Sequence, residues 1–210
     1  MNIADVINGR KTVRKFDSYV LNDEEIKTII NSARLAPSAM NTQNWRFIAV
    51  INQEIKEKMA KAVLSAYDDI ISRISKETAE KVERFKGHST FFTKAPLVIV
   101  CIETNAPAFM EGVLEEAHYS IEEIKTMRPN SYLLSMGAAI ENMLLTAYSM
   151  GFGSCWMVAP VLGAYDMKKV LNLKEGEKIV SILSIGKPSP DISENRSPKK
   201  NLEEIIEIIK

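Results

Sequence analysis

The chain has 210 residues, 46% of them hydrophobic and 26% charged, and its 27 basic residues balance 27 acidic ones. That length suits one large domain able to bury a substantial core, and the even charge excludes a general nucleic-acid binder or a polybasic membrane tether, both of which need a cationic surplus. The two cysteines, Cys101 and Cys155, sit in apolar surroundings without metal-ligand spacing, so neither a metal site nor a disulfide framework is expected. The longest strongly apolar run, "APLVIVCI", is too short to span a bilayer, and the amino terminus lacks the apolar core of a signal peptide. The expected compartment is the cytoplasm.

Along the chain, Ile3, Val6 and Ile7 fall at helical spacing and predict a short first helix. "NGRKTVRKF" follows, with Arg10, Lys11, Arg14 and Lys15 concentrated in six positions. A phosphate monoester needs a forked guanidinium, a point-charge ammonium and a hydroxyl or N–H donor, which Arg10, Lys11, Thr12 and Arg14 together offer. If residues 12–16 are extended, Thr12 and Arg14 face one side and Val13 the other. A solvated charged surface is the competing reading of the same cluster.

"LNDEEIKTIINSARLA" predicts a helix with Asn22 and Glu25 closing a capping box, an apolar stripe of Ile26, Ile29, Ile30 and Ala33, and Pro37 as its stop. The next loop, "PSAMNTQ", is dense in uncharged polar groups, Ser38, Asn41, Thr42 and Gln43, which suit either a hydroxyl- and carbonyl-rich ligand or a plain turn. "NWRFIAVIN" predicts a strand. Residues 53–90 read as one charged helical stretch ending at Gly87 in a left-handed cap. "APLVIVCIE" predicts a strand buried on both faces. Residues 103–132 are weakly periodic and predict a lid or insertion.

"YLLSMGAAIENMLLTAYSMGFGS" predicts the longest apolar helix, ended by Gly151 and Gly153. "GFGSCWMVAPVLGAYD" predicts a loop in which Pro160 to Gly163, just before a helix, leave backbone N–H groups to donate. "GAYDMKKVLNL" predicts a short helix, "EKIVSILSIGKP" a strand and "NLEEIIEIIK" a carboxy-terminal helix. The order implies a mixed α/β chain with a small sheet covered by many helices. His88 and His118 read as surface residues, and no Ser-His-Asp or Cys-His set is recognisable.

Four stretches in order resemble the nitroreductase family of flavin mononucleotide (FMN) enzymes: "RKTVRKF", "ARLAPSAMNTQNWRF", "ENMLLTAYSMGFGSCW" and "SIGKP". The resemblance runs nearly end to end. It implies an α+β sandwich, a small central sheet covered by helices, forming an intertwined homodimer with FMN sites at the subunit interface. Residues 1–210 would form a single FMN-binding domain, with 103–132 as the lid or insertion.

By the same resemblance Arg10, Lys11, Thr12 and Arg14 would hold the FMN phosphate and its polar flank. Pro37, Ser38, Met40, Asn41 and Gln43 would approach the flavin from the partner subunit. Pro160, Val161, Leu162 and Gly163 would lie along the flavin ring, with a backbone N–H of Leu162 or Gly163 facing N5, the atom that takes the hydride. No side chain is implied as catalytic. Lys187 would add charge near the site, and Arg196 or Lys199 would supply a further phosphate contact.

The implied activity is ping-pong reduction of nitroaromatics, quinones or similar small-molecule acceptors, with NADH or NADPH as electron donor. Alternatives are other flavin chemistry on the same fold (enone reduction, dehalogenation, flavin fragmentation), a non-catalytic flavin-binding protein, and a helical scaffold without flavin. Nucleic acid and membrane are not expected partners.

Overall fold

The computed structural model describes residues 2–104, 109–128, 130–191 and 198–210. Helix α1, Ile3–Gly9, starts with Asn2 and Asp5 capping each other's backbone. Helix α2, Asp23–Arg34, starts the same way through Asn22 and Glu25 and buries Ile26, Ile29 and Ala33. Both boxes satisfy amide donors that a first helical turn cannot bond internally. Strand β1 is Trp45–Val50, and helix α3, Gln53–Ser72, is capped by the Asn52 side chain accepting from Ile55 N.

The charged stretch expected as one helix divides here. Ser75 caps a new helix, α4, Lys76–Thr90, by accepting from Thr78 N. Gly87 is not a left-handed cap: α4 runs through it, and the glycines with positive φ are Gly151 and Gly176. The chain turns instead at Phe91–Lys94, ahead of Pro96, and enters strand β2, Leu97–Glu103. Helices α5, Phe109–Glu116, and α6, Ile121–Met127, occupy the weakly periodic region, with Ser120 and Glu123 forming a third capping box. Helix α7 is Ser131–Ser149, and Gly151, at φ 82°, ends it.

Strand β3, Gly153–Met157, stands where a loop was expected. It is five residues long and glycine-led, so it carries little strand signal of its own; pairing with its neighbour makes it a strand. Helix α8 is Ala164–Val170 and strand β4 Lys178–Gly186. The expected carboxy-terminal helix does not form: a 3₁₀ turn at Leu202–Glu204 is followed by irregular chain to residue 210. A helix this short needs an apolar face packed on something, and Leu202, Ile205, Ile206, Ile208 and Ile209 are all exposed.

The four strands form one antiparallel sheet in the order β1-β2-β4-β3. β2 is covered on both faces, as its unbroken apolar run predicts. Leu97, Ile99 and Cys101 pack with Ile29, Ala139, Ile140 and Met143, from α2 and α7. Val98, Val100 and Ile102 pack with Met59, Val63 and Met167, from α3 and α8. Where β2 meets β4, Cys101 opposes Ser181 while Ile102 opposes Ile179, a one-residue bulge at Val180.

On the second face the backbone approaches α3 closely at Gly163, where a Cβ would stand 2.6 Å from Val63 N. Helical backbone cannot yield as a flexible side chain would. Gly163→Ala is therefore expected to lower stability by about 1–3 kcal/mol, the usual cost of overpacking, read as an earlier midpoint in urea unfolding. An unchanged midpoint would show that α3 moves freely away from this turn.

Candidate functional site

The cationic segment is fixed by its one apolar residue. Val13 is buried and donates its N–H to Ser154 O at 2.8 Å. It rests on Gly153, where any Cβ would fall 2.6 Å from the Val13 side chain. Thr12 bridges Ser154 in parallel, and Phe16 bridges Pro188 in antiparallel fashion. Asp17 N donates to Lys187 O at 3.0 Å, and Ser189 N to Lys15 O at 3.1 Å. The segment thus runs beside the start of β3 and past the end of β4. Thr12 and Arg14 are exposed on the side away from Val13, the alternation expected of extended chain.

Each cation has a distinct setting. Arg10 Nε lies 3.2 Å from Glu141 Oε1 on α7. The N–H is not aligned on that oxygen, so this buried nitrogen has no hydrogen bond. The Arg14 charge lies beside the Cys155 thiol; burial pushes that thiol up, and the nearby guanidinium pulls it the other way. Burial pushes Cys101 up to about 12. Both shifts disfavour the nucleophilic thiolate. Lys187 places its ammonium 3.7 Å from the centre of the Tyr19 ring, a cation–π contact. Lys199 is exposed, and Arg196 lies outside the described residues.

The loop after Pro37 is tied down at several points. Ser38 Oγ accepts from Gln43 N at 3.1 Å, Ser135 Oγ on α7 accepts from Ala39 N at 3.1 Å, and Asn44 O accepts from Thr104 N at 3.0 Å. Within it Met40, Asn41 and Gln43 adopt φ of 53°, 54° and 46°. Three left-handed non-glycine residues in four positions hold strain that surrounding bonds must enforce. Met40 is 78% exposed, an apolar side chain presented to whatever lies outside the chain. The loop's polar composition was legible in the sequence; its backbone strain carries no sequence signal.

Pro160 and Gly163 are buried in a 3₁₀ turn, Ala159–Gly163, that sits on α3, with Val161 half-buried and Leu162 exposed. The N–H groups expected to be free are engaged in the turn, Val161 N donating to Val158 O at 2.9 Å and Ala164 N to Val161 O. The cationic segment and the Pro37 loop do not converge within one chain. The first lies beside Gly153 and Gly186, near the start of β2; the second hydrogen-bonds Thr104, just past its end. Those ends are roughly 20 Å apart at the rise of a strand.

A cavity of about 560 Å³ lies between the α5–α6 region and the ends of β2 and β4. Its wall includes Glu103, Glu111, Lys125, Arg128, Tyr132 and Lys178, with Arg128 Nε 3.2 Å from Glu111 Oε1. Next to Lys178, Glu177 is buried and accepts from Arg46 Nε at 2.8 Å and Nη2 at 2.7 Å, and its Oε2 also takes Lys174 N at 2.8 Å. This fork joins β1 to the turn entering β4. Its partners are 131 positions apart, and nothing in their local sequence announces the pair.

The nitroreductase family matches residues 7–187, and the chain belongs to that family. It is similar to a BluB-like flavoprotein of Clostridium difficile 630, at 30% identity and a TM-score of 0.91, with all of both chains covered. It is 24% identical to an oxygen-insensitive NADPH nitroreductase of Helicobacter pylori, over 93% of this chain and 91% of that one. It is 25% identical to an iodotyrosine deiodinase of Hydra vulgaris, over 95% of this chain and 70% of that one. No helix among the described residues is long and apolar enough to cross a membrane.

Arg46 holds Glu177 below the usual carboxylate range, chiefly through their hydrogen bonds. A depressed folded-state pKa gives stability that is present above the unfolded carboxylate value and lost as pH falls through the folded one. Glu177→Gln is expected to cost about 1–3 kcal/mol at neutral pH. The variant should also lose less stability than the parent between neutral and strongly acidic pH, measured by urea unfolding across that range. Parallel acid profiles would show that the pair carries no such linkage.

Proposed function

We propose that this chain is an FMN-dependent oxidoreductase, working as a homodimer that takes electrons from NADH or NADPH and reduces nitroaromatics, quinones or similar acceptors. The observation that carries the reading is the cationic segment, locked by Val13 while Arg10, Thr12 and Arg14 remain available around it. The fit to a phosphate monoester is good on this chain's own chemistry. Arg10 Nε is a buried donor without a hydrogen bond, and its terminal nitrogens bond no described residue. Thr12 adds a hydroxyl and Arg14 a second guanidinium, both exposed.

When bound, FMN would supply hydride uptake from the nicotinamide and its delivery to the acceptor. The chain's residues bind, orient and exclude water. Arg10, Lys11, Thr12 and Arg14 would hold the phosphate, with Lys187, Lys199 and Arg196 adding positive charge. Pro160, Val161, Leu162 and Gly163 would form a wall held rigid by α3, with the N–H of Leu162 or Gly163, already engaged within the 3₁₀ turn, shared with the flavin edge. Pro37, Ser38, Met40, Asn41 and Gln43 would come from the second copy, which is how a loop at the far end of β2 reaches the same site. The segment 103–132 would act as the lid of the acceptor pocket in one domain spanning residues 1–210.

Two features support a second copy. Leu202, Ile205, Ile206, Ile208 and Ile209 form an exposed aliphatic tail, and Leu133, Leu134 and Trp156 are exposed on and beside α7. Such surface is costly in water unless a partner covers it. The buried, unbridged cysteines suit the cytoplasm, where both nicotinamide donors occur.

A second reading keeps the flavin and changes the acceptor. The cavity beneath α5–α6 carries Glu103 and Glu111 beside Lys125, Arg128 and Lys178. Mixed charge suits a zwitterion such as an amino acid, the substrate type that would favour dehalogenation, and the Hydra relative is a deiodinase.

The purified protein is expected to be yellow, and NADH or NADPH should bleach it without oxygen. A quinone or nitroaromatic should restore the colour; restoration by iodotyrosine alone would favour the second reading. Replacing Arg10 and Arg14 together by alanine should weaken FMN retention at least about tenfold. A colourless protein, or FMN that no nicotinamide reduces, would overturn the oxidoreductase. Removing residues 201–210 should shift the protein from dimer toward monomer in sedimentation velocity; an unaltered dimer would place the tail outside the interface.

A further inference from the structure

Glu141 stands against the phosphate grip with a charge of the wrong sign. It lies on α7 two turns before Tyr148, on the same helix face. Tyr148 presses its hydroxyl on Gly9, where a Cβ would fall 2.0 Å from the oxygen. Helix α7 therefore sets both the position of the Gly9–Arg10 backbone and the carboxylate that faces the Arg10 side chain. Glu141 Oε1 is 3.2 Å from Arg10 Nε, and their side chains are 41% and 28% exposed. Glu141 makes no hydrogen bond with any described residue, and Arg10 Nε, though buried, makes none either. The two attract each other without completing a bond. A well-made bidentate pair, such as Arg46–Glu177, would be hard to break; this one would not.

We propose that Glu141 is an exchangeable counter-ion that occupies Arg10 in the flavin-free chain and gives it up to the incoming phosphate, so that its charge limits FMN affinity. This rests on the reading of the cationic segment as the phosphate grip. An arriving phosphate brings nearly two negative charges to a guanidinium already facing one. It gains aligned, charge-assisted bonds to the Arg10 fork, and the poorly aligned contact with Glu141 is surrendered. What remains is repulsion between carboxylate and phosphate, only partly screened at this half-buried position. Orientation of Arg10 does not depend on Glu141 alone, because Tyr148 fixes the backbone next to it. Removing the carboxylate's charge therefore strengthens binding instead of disordering the site.

The test uses the full chain freed of flavin, titrated with FMN and with riboflavin, which lacks the phosphate, and followed by flavin fluorescence. Glu141→Gln should bind FMN about fivefold to twentyfold more tightly than the parent, with riboflavin affinity unchanged within about twofold. FMN release from the loaded variant should slow correspondingly. In an Arg10→Gln background the gain from Glu141→Gln should shrink at least about twofold, since no guanidinium is left to liberate and only the direct carboxylate–phosphate repulsion is relieved. FMN affinity unchanged or weakened by Glu141→Gln, or riboflavin strengthened as much as FMN, would overturn the counter-ion while leaving the grip intact. A parent chain that binds FMN no more tightly than riboflavin would overturn the grip itself, and the counter-ion with it.

Discussion

The seating of Val13 on Gly153 determines where every amino-terminal cation stands. One buried isopropyl group, accepted because its neighbour has no side chain, turns a flexible basic stretch into an extra strand-like edge beside β3. Thr12 and Arg14 are then forced outward by the alternation of extended chain. Phe16 and Asp17 are carried on to Pro188 and Lys187, so both ends of the segment are pinned to the sheet. Without that anchor the charge cluster would be what its composition first suggests, a solvated surface. With it, the backbone carrying those side chains is held in place before any ligand arrives, and less conformational entropy has to be lost on binding.

The same sheet holds the two halves of the candidate site apart. β2 lies near the middle of the sheet, and its two ends carry different parts of the candidate site: the cationic segment near Leu97, the strained loop past Glu103. Strain in that loop is enforced by Ser38, Ser135 and Thr104, yet Met40 at its tip points away from the chain's own core. Rigid support of an outward apolar tip makes sense if the tip has a fixed place on another molecule. The aliphatic tail points the same way, since its stripe is left exposed by the described residues.

Legibility followed the range of the interactions involved. The Asn22–Glu25 capping box and the buried face of α2 are local and were readable from spacing, as were β1, β2, β4 and α7. β3 was not readable, because five residues beginning with glycine become a strand only when Gly186 to Ile182 pair with them. The break between α3 and α4 was missed because Ser75 as a cap is weaker in sequence than Gly87 as a stop, and Gly87 is tolerated inside a helix at modest cost. The tail has good helical periodicity and no helix, since periodicity states which face would be buried and not whether anything buries it. Of the site, the residue types were visible. The left-handed run at Met40, Asn41 and Gln43, the Arg46–Glu177 fork and the approach of Glu141 to Arg10 all depend on contacts between distant segments.

A neutral chain that concentrates cations must decide what those cations face when no ligand is present. This one has given several of them a neighbour: Glu141 for Arg10, the Cys155 thiol for Arg14, the Tyr19 ring for Lys187. These neighbours differ in how firmly they hold. A thiol and an aromatic face stabilise a cation without neutralising it, so Arg14 and Lys187 keep their charge available to an anion. A carboxylate does neutralise, and Arg10 faces one in Glu141. If the segment grips a dianion as proposed, its affinity would be set less by how many basic residues it contains than by which of them is already answered by an opposite charge.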